Sequence, residues 1–169
     1  MKVWVFRHAK SSWSEPGQTD FDRPLSERGA RDALRVQTWL TKQPDLPQIL
    51  FVSNARRTRE TAEYIRRGCG LEASALLLDP GMYLANPEDL LDTLASIPEK
   101  ITSAGLVGHN PSCAQFVNLM VGSMVIDHLP TLGIVQLALP DIPAGAGKAR
   151  AFGQAEFEGL TTPKMLRNQ

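Results

Sequence analysis

Residues 3–10 read Val3-Trp4-Val5-Phe6-Arg7-His8-Ala9-Lys10, an apolar run that stops at an arginine and a histidine. Four consecutive β-branched or aromatic residues predict a short strand buried on both faces. Its tip is then either an ordinary exposed edge or the floor of an anion site. The segments that follow decide between the two.

Short apolar runs alternate with helical patterns along the chain. After Val3–Phe6, Ser26 is a predicted N-cap for a helix carrying Ala33, Val36 and Leu40 on one face, with Pro44 past its end. Residues 48–52 (QILFV) predict a second strand, and 55–67 (ARRTRETAEYIRR) a basic helix closed by Gly68 or Gly70. A short strand is expected over 75–78. Asn86-Pro87-Glu88-Asp89 then opens a helix with Leu90, Leu91 and Leu94 inward, its two acids favoured by the helix dipole. Residues 104–107 predict a strand ending at Gly108-His109. Asn110-Pro111 starts a further helix with Cys113, Phe116, Val117 and Met120 as its buried stripe. Two late strands are expected, 134–139 and 149–157, joined by the loop DIPAGAGKA over 141–149.

Strand and helix in alternation imply a mostly parallel sheet with helices on both faces, an α/β fold of three layers, α/β/α. At 169 residues the chain is expected to form one domain, 1–169, with a substantial core. In such sheets ligands sit beyond the carboxyl ends of the strands. The first predicted strand ends at Arg7-His8, the second just before Arg56-Arg57, and the fourth at Gly108-His109. Three separate segments thus deliver histidines and arginines to one edge of one sheet.

Composition narrows the function classes. Eighteen Lys and Arg balance 18 Asp and Glu, which argues against a nucleic-acid binder held by overall basicity. No run of about 18 apolar residues predicts a membrane span, and the N-terminus lacks signal-peptide character. Cys69 and Cys113 have no metal-ligand or CxxC spacing and are expected to be free thiols in a reducing cytoplasm.

The chemistry of the converging residues is that of phosphoryl transfer. A neutral imidazole attacks phosphorus directly, and nearby arginines disfavour the protonated ring, so His8 is a candidate nucleophile. Arg7 and His8 alternate along the strand, so both reach one phosphate only if the backbone turns there. Arg56 and Arg57 sit in a first helical turn, where cations oppose the dipole unless an anion is bound. Arginine's planar fork suits phosphate oxygens. Arg59 and Arg66 read as a solvated helix face. His109 precedes a helix N-terminus with free N–H groups, and Gly108 removes bulk where a ligand or backbone comes close. His128, in VIDHLP, reads as structural or exposed. No metal site is expected from the spacing of the three histidines or from the acids.

Together FRHAKSSW (6–13), DFDRPLSERG (20–29), SNARRTRETA (53–62) and VGHNPS (107–112) resemble the histidine phosphatase superfamily, with its phosphoglycerate-mutase-like fold. The nearer likeness is to its small SixA-like phosphohistidine phosphatase branch, which the tail LTTPKML (160–166) also resembles. The resemblance implies His8 as nucleophile, Arg7 and Arg57 as phosphate clamps, and His109 as donor to the phosphoryl oxygens. Arg56 flanks that clamp. Ser14, Arg23, Asn110 and Tyr83 are secondary candidates for substrate contact.

Ala9 stands where the commonest form of the motif has glycine, and Ser14 where mutase-type members have asparagine. The general acid of many members has no evident counterpart, since DPGMYLANPED (79–89) places Met82 and Tyr83 there. General acid help is worth about 10²–10⁴-fold, so its lack favours a good leaving group such as the imidazole of phosphohistidine. The reading is a cofactor-free phosphatase acting on a phosphorylated protein, a histidine phosphotransfer domain being one candidate. A small-molecule phosphomonoesterase using Asp79 or a water as acid, and a binding module without turnover, are the alternatives.

Overall fold

The structure is a computed structural model and describes residues 1–13, 17–140 and 152–168. Ten main elements follow in chain order: β1 (Lys2–Arg7), α1 (Glu27–Leu40), β2 (Leu50–Ser53), α2 (Arg56–Gly68), β3 (Leu76–Asp79), α3 (Pro87–Ser96), β4 (Ser103–Gly108), α4 (Ser112–Val121), β5 (Ile134–Ala138) and β6 (Glu156–Thr161). The six strands form one sheet in the order β3-β2-β4-β1-β5-β6. The pairings β2–β3, β2–β4 and β1–β4 are parallel, whereas β5 runs antiparallel to both β1 and β6. This is the expected α/β architecture, mostly parallel, with an antiparallel edge.

β1 lies between β4 and β5, and its alternation divides the core. Trp4 and Phe6 pack with Ala33, Val36 and Leu40 of α1 and Ala62 and Ile65 of α2. Val3 and Val5 pack on the other face with Leu90 and Leu94 of α3 and Phe116, Val117 and Met120 of α4. A period of two sorts a strand's side chains between two helical layers. Full burial of Phe6 alone contributes about 2–3 kcal/mol.

Local chemistry fixes the helix starts. Ser26 Oγ accepts from Gly29 N at 3.1 Å, and Asn86 with Asp89 closes a capping box. Gly29 has a second purpose. A Cβ there would lie 2.1 Å from the Lys10 carbonyl oxygen, so only glycine lets α1 begin directly over the chain leaving β1. That close approach explains the glycine of RPLSERG.

Two expectations change. The last strand runs over Glu156–Thr161 rather than 149–157. Residues 152–154 form a turn, and Gly153 N and Ala155 N donate to Leu119 and Met120 carbonyls at the end of α4, so these donors are not available to β5. Residues 149–151 and the loop 141–149 lie outside the described residues, as does Ser14. The space spared by Gly108 is taken by a side chain of the core. A Cβ there would meet Cys113 Sγ at 3.1 Å, so the glycine seats α4 against β4.

Candidate active site

The carboxyl ends of β1, β2 and β4 meet as the topology requires. His8 N donates to Gly108 O at 3.0 Å, which holds the two motif segments side by side beyond the strands. The His8 and His109 rings lie side by side, tilted 57° to one another, with centroids 5.2 Å apart. Both are buried, and so is Arg57, whose side chain is only 6% exposed.

His8 has a defined tautomer. Its Nδ1 lies 2.7 Å from the Ala9 carbonyl oxygen, which only accepts, so Nδ1 carries the proton and Nε2 holds a lone pair. Burial first, then Arg57, Arg7 and Arg23, lower its pKa to about 4, despite the opposing bond to Ala9. The ring is therefore neutral near pH 7. Ala9 itself is buried, has no positive φ, and donates its N–H to Thr61 Oγ1 at 3.0 Å. The turn after His8 closes without glycine because a threonine of α2 takes the amide.

His109 is held from both sides. Ser53 Oγ lies 2.8 Å from its Nε2 and Arg57 Nη2 lies 3.2 Å from its Nδ1. A guanidinium only donates, so Nδ1 accepts and Nε2–H points to Ser53. Burial, then His8 and Arg57, lower its pKa to about 3, with Asp20 opposing. As an unprotonated acceptor toward Arg57, His109 has no N–H left over for an anion. Donation from Nδ1 would require the imidazolium, which a nearby anion favours.

Arg57 is the hub. Its Nη1 donates to Asp20 O at 2.5 Å and its Nη2 to Asp20 Oδ2 at 3.0 Å, while its Nε is buried without a hydrogen-bond partner. Its neighbour Arg56 points elsewhere, paired with Glu60 at 2.7 Å. β1 ends at Arg7, and the Arg7 charge acts on both His8 and His109, so its guanidinium shares their site. Its Nη1 donates to Leu129 O at 2.8 Å and to His128 Nε2 at 3.0 Å, and its Nε is buried and unpartnered. Buried guanidinium N–H groups without partners suit an anionic ligand.

The secondary candidates sort by position. Arg23 reaches Ser11 Oγ at 2.8 Å and Asp20 Oδ1 at 3.4 Å, with its guanidinium 4.3 Å over the Trp13 ring. Tyr83 touches His109 edge-on and donates its hydroxyl to Asp20 Oδ2 at 3.1 Å. Asn110 Nδ2 donates to Leu129 O at 2.9 Å and lies 3.0 Å from His128 Nδ1, beside Arg7. Ser14 is outside the described residues.

Asp79 is committed to structure. Its Oδ1 accepts from Gly81 N and its Oδ2 from Thr93 Oγ1, each at 2.9 Å, so it caps a turn and ties it to α3. Among the described residues, no group of three or more His, Cys, Asp or Glu is placed to hold a metal ion. Cys69 and Cys113 are both free.

Two neighbours escaped the sequence reading. Asp20 sits in the quoted segment DFDRPLSERG, but only its folding against Arg57 and Tyr83 reveals it. Burial raises its carboxyl pKa, yet Arg57, the Tyr83 hydroxyl and Arg23 more than reverse this, leaving it below the usual carboxylate range. His128 is exposed as expected, but it also touches Arg7 and Asn110. Its 121-residue separation from Arg7 gave no local signal.

The chain is similar to known proteins along nearly its whole length. Residues 3–78 match the model of the histidine phosphatase superfamily (branch 1). An uncharacterised protein of Mycobacterium leprae is 31% identical over 170 residues, covering 94% of this chain and 99% of the relative. The structure superposes on SixA from Agrobacterium tumefaciens, provisionally named a phosphohistidine phosphatase, with a TM-score of 0.80 and 26% identity over 96% of this chain and 97% of the other. A protein histidine phosphatase SixA complexed with tungstate gives 0.81 at 19% identity, covering 99% and 100%. The fold extends to a mycobacterial glucosyl-3-phosphoglycerate phosphatase, at 0.68 and 15% identity over 94% and 97%. Family model, full-length sequence relative and superposed structure agree: the chain belongs to the histidine phosphatase superfamily, in its SixA-like branch, and is a phosphatase.

Proposed function

We propose that this phosphatase is a protein phosphohistidine phosphatase working through a phospho-His8 intermediate. The observation that carries the reading is the state of His8: Nδ1–H held by the Ala9 carbonyl and Nε2 bearing a free lone pair in a buried, cationic setting. In the first step Nε2 attacks phosphorus, the bond to the leaving group breaks, and the leaving nitrogen departs with its electron pair. In the second, water cleaves the P–Nε2 bond and regenerates neutral His8. Arg7 and Arg57 neutralise the phosphoryl oxygens, and His109 joins them once the bound dianion favours protonation at Nδ1.

The substrate class rests on the leaving group. Asp79, the acid a phosphomonoesterase reading would recruit, is used in a cap. Asp20, the carboxylate nearest Arg57, is held ionised and has no proton to give an alkoxide. A phosphoramidate whose imidazole brings its own proton suits such a site; an alkyl phosphate does not. Two unpaired thiols support a reducing, cytoplasmic setting. Its partner would be a phosphorylated protein such as a histidine phosphotransfer domain.

A second reading, a small-molecule phosphomonoesterase, draws on the likeness to the glucosyl-3-phosphoglycerate phosphatase fold. Turnover of a phosphohistidine peptide, para-nitrophenyl phosphate and an alkyl phosphate separates the two. Preference for the peptide, with acid-labile label on His8 that is absent in His8→Ala, supports the proposal. Preference for the alkyl phosphate overturns it in favour of the second reading, and failure to turn over any of the three overturns both.

A further inference from the structure

We propose that Asp20 is the general base of the second half-reaction, accepting the proton of the water that hydrolyses phospho-His8. The inference rests on the covalent reading above and adds a residue to it.

Position comes first. Arg57 Nη2 is shared by Asp20 Oδ2, at 3.0 Å, and His109 Nδ1, at 3.2 Å, so the Asp20 carboxylate lies one guanidinium nitrogen away from His109, whose ring centroid is 5.2 Å from that of His8. His8, His109 and Arg57 are all buried, whereas the Asp20 side chain is 43% exposed. Asp20 therefore stands on the solvent side of the site. Displacement at phosphorus is in line, so water must approach phospho-His8 opposite the P–Nε2 bond, from the side by which the first leaving group departed. A carboxylate at the mouth is on that path; one behind His8 would not be.

Its surroundings keep it ready. The groups facing Asp20 are Arg57 from α2, Arg23 ahead of α1, and Tyr83 ahead of α3, whose hydroxyl donates to Oδ2 at 3.1 Å. Two guanidinium groups and a phenol donor favour the ionised form, which the lowered pKa reflects. An ionised carboxylate cannot protonate a departing alkoxide, yet it can receive a proton. The same residue thus accounts for the choice of leaving group in the first step and supplies the base for the second. Asp20 also holds both Nη atoms of Arg57 through Oδ2 and its own carbonyl, so the base and the phosphate clamp are positioned together.

The step balances. Water oxygen bonds to phosphorus as the P–Nε2 bond breaks, and that electron pair returns to His8 as neutral imidazole with Nδ1–H still on Ala9 O. The water proton passes to the Asp20 carboxylate, and monohydrogen phosphate leaves. The exposed carboxyl group then gives its proton to solvent.

The test separates the two half-reactions in the full chain. Para-nitrophenyl phosphate needs little acid help to phosphorylate His8, so its burst reports the first step and its steady state the second. Asp20→Asn keeps an oxygen for Arg57 and Tyr83 and removes the base. The expected result is a burst of full amplitude and near wild-type rate, followed by decay of phospho-His8 slowed about 10²-fold or more, with phosphoenzyme accumulating. Asp20→Glu should restore part of the decay rate. A full burst also shows that the variant is folded. Equal slowing of burst and decay would make Asp20 a support for Arg57 and overturn the inference, as would unchanged decay. Absence of any phospho-His8 in the wild type would overturn the covalent reading itself, a result distinct from either.

Discussion

The floor and the rim of this site are built on different principles. The floor consists of His8, Arg57, His109 and Ser53, all buried, each placed at or just after the end of a parallel strand. The rim consists of Asp20, Arg23, Trp13, Tyr83 and His128, drawn from loops, with Trp13 63% exposed. Floor groups have their protonation fixed by buried partners; rim groups remain open to solvent exchange. Chemistry that needs one invariant state is thereby kept at the floor.

The largest effects should come from the floor. His8→Ala removes the proposed nucleophile and is expected to lower turnover by about 10⁴-fold or more, with no acid-labile label, measured by rapid quench. Arg57→Ala should cost about 10²–10³-fold in kcat if, as proposed, its donors meet the developing charge. Arg57→Lys should recover only part, because an ammonium cannot hold Asp20 O, Asp20 Oδ2 and His109 Nδ1 in one plane. If Arg57→Ala lost less than a matched rim substitution such as Arg23→Ala, the division between floor and rim would fail.

That division also marks what could be read from the residues alone. Strand ends follow from buried apolar runs, so the residues alone assign Arg7-His8, Arg56-Arg57 and Gly108-His109 to one sheet edge. The helix caps at Ser26 and Asn86 were legible for the same reason, being local. Loop conformations depend on contacts across the fold. Asp20 and Tyr83 are 63 residues apart, and nothing in either segment announces their hydrogen bond. The fate of Arg7 was half legible: its place beside His8 at the strand end was clear, but its partners Leu129 O and His128 come from a distant loop. The β6 boundary was missed because the backbone donors of 153 and 155 bond to α4, a long-range choice invisible to periodicity.

A smaller effect concerns pH. His8 and His109 are buried neutral, with pKa values near 4 and 3, against about 6.5 in an unfolded chain. Below about 6.5 the unfolded state binds protons that the folded state refuses, so stability falls as pH drops and stops falling near the folded pKa values. Urea unfolding of the wild type between pH 7 and 4 should show this decline, and His8→Gln should flatten part of it. Phosphoenzyme formation should stay level over most of that range, because His8 Nε2 remains unprotonated until about pH 4. A fall in burst rate centred near 6.5 would show that the floor does not protect His8 as its burial implies.

The smallest effect should come from His128. Arg7 Nη1 must donate, so His128 Nε2 is an acceptor, and this bond adds to the firmer one from Arg7 to the Leu129 carbonyl. Removing the ring leaves the carbonyl in place and Arg7 still anchored, at the expense of one exposed hydrogen bond, about 0.5–1.5 kcal/mol. His128→Ala is therefore expected to raise KM by only a few-fold and leave kcat for para-nitrophenyl phosphate nearly unchanged. His128→Gln, which can present an oxygen to Arg7, should return KM toward the wild type. A drop in kcat comparable to that of Arg57→Ala would mean that this exposed imidazole governs the phosphate clamp, and the boundary of the floor would have to be redrawn to include it.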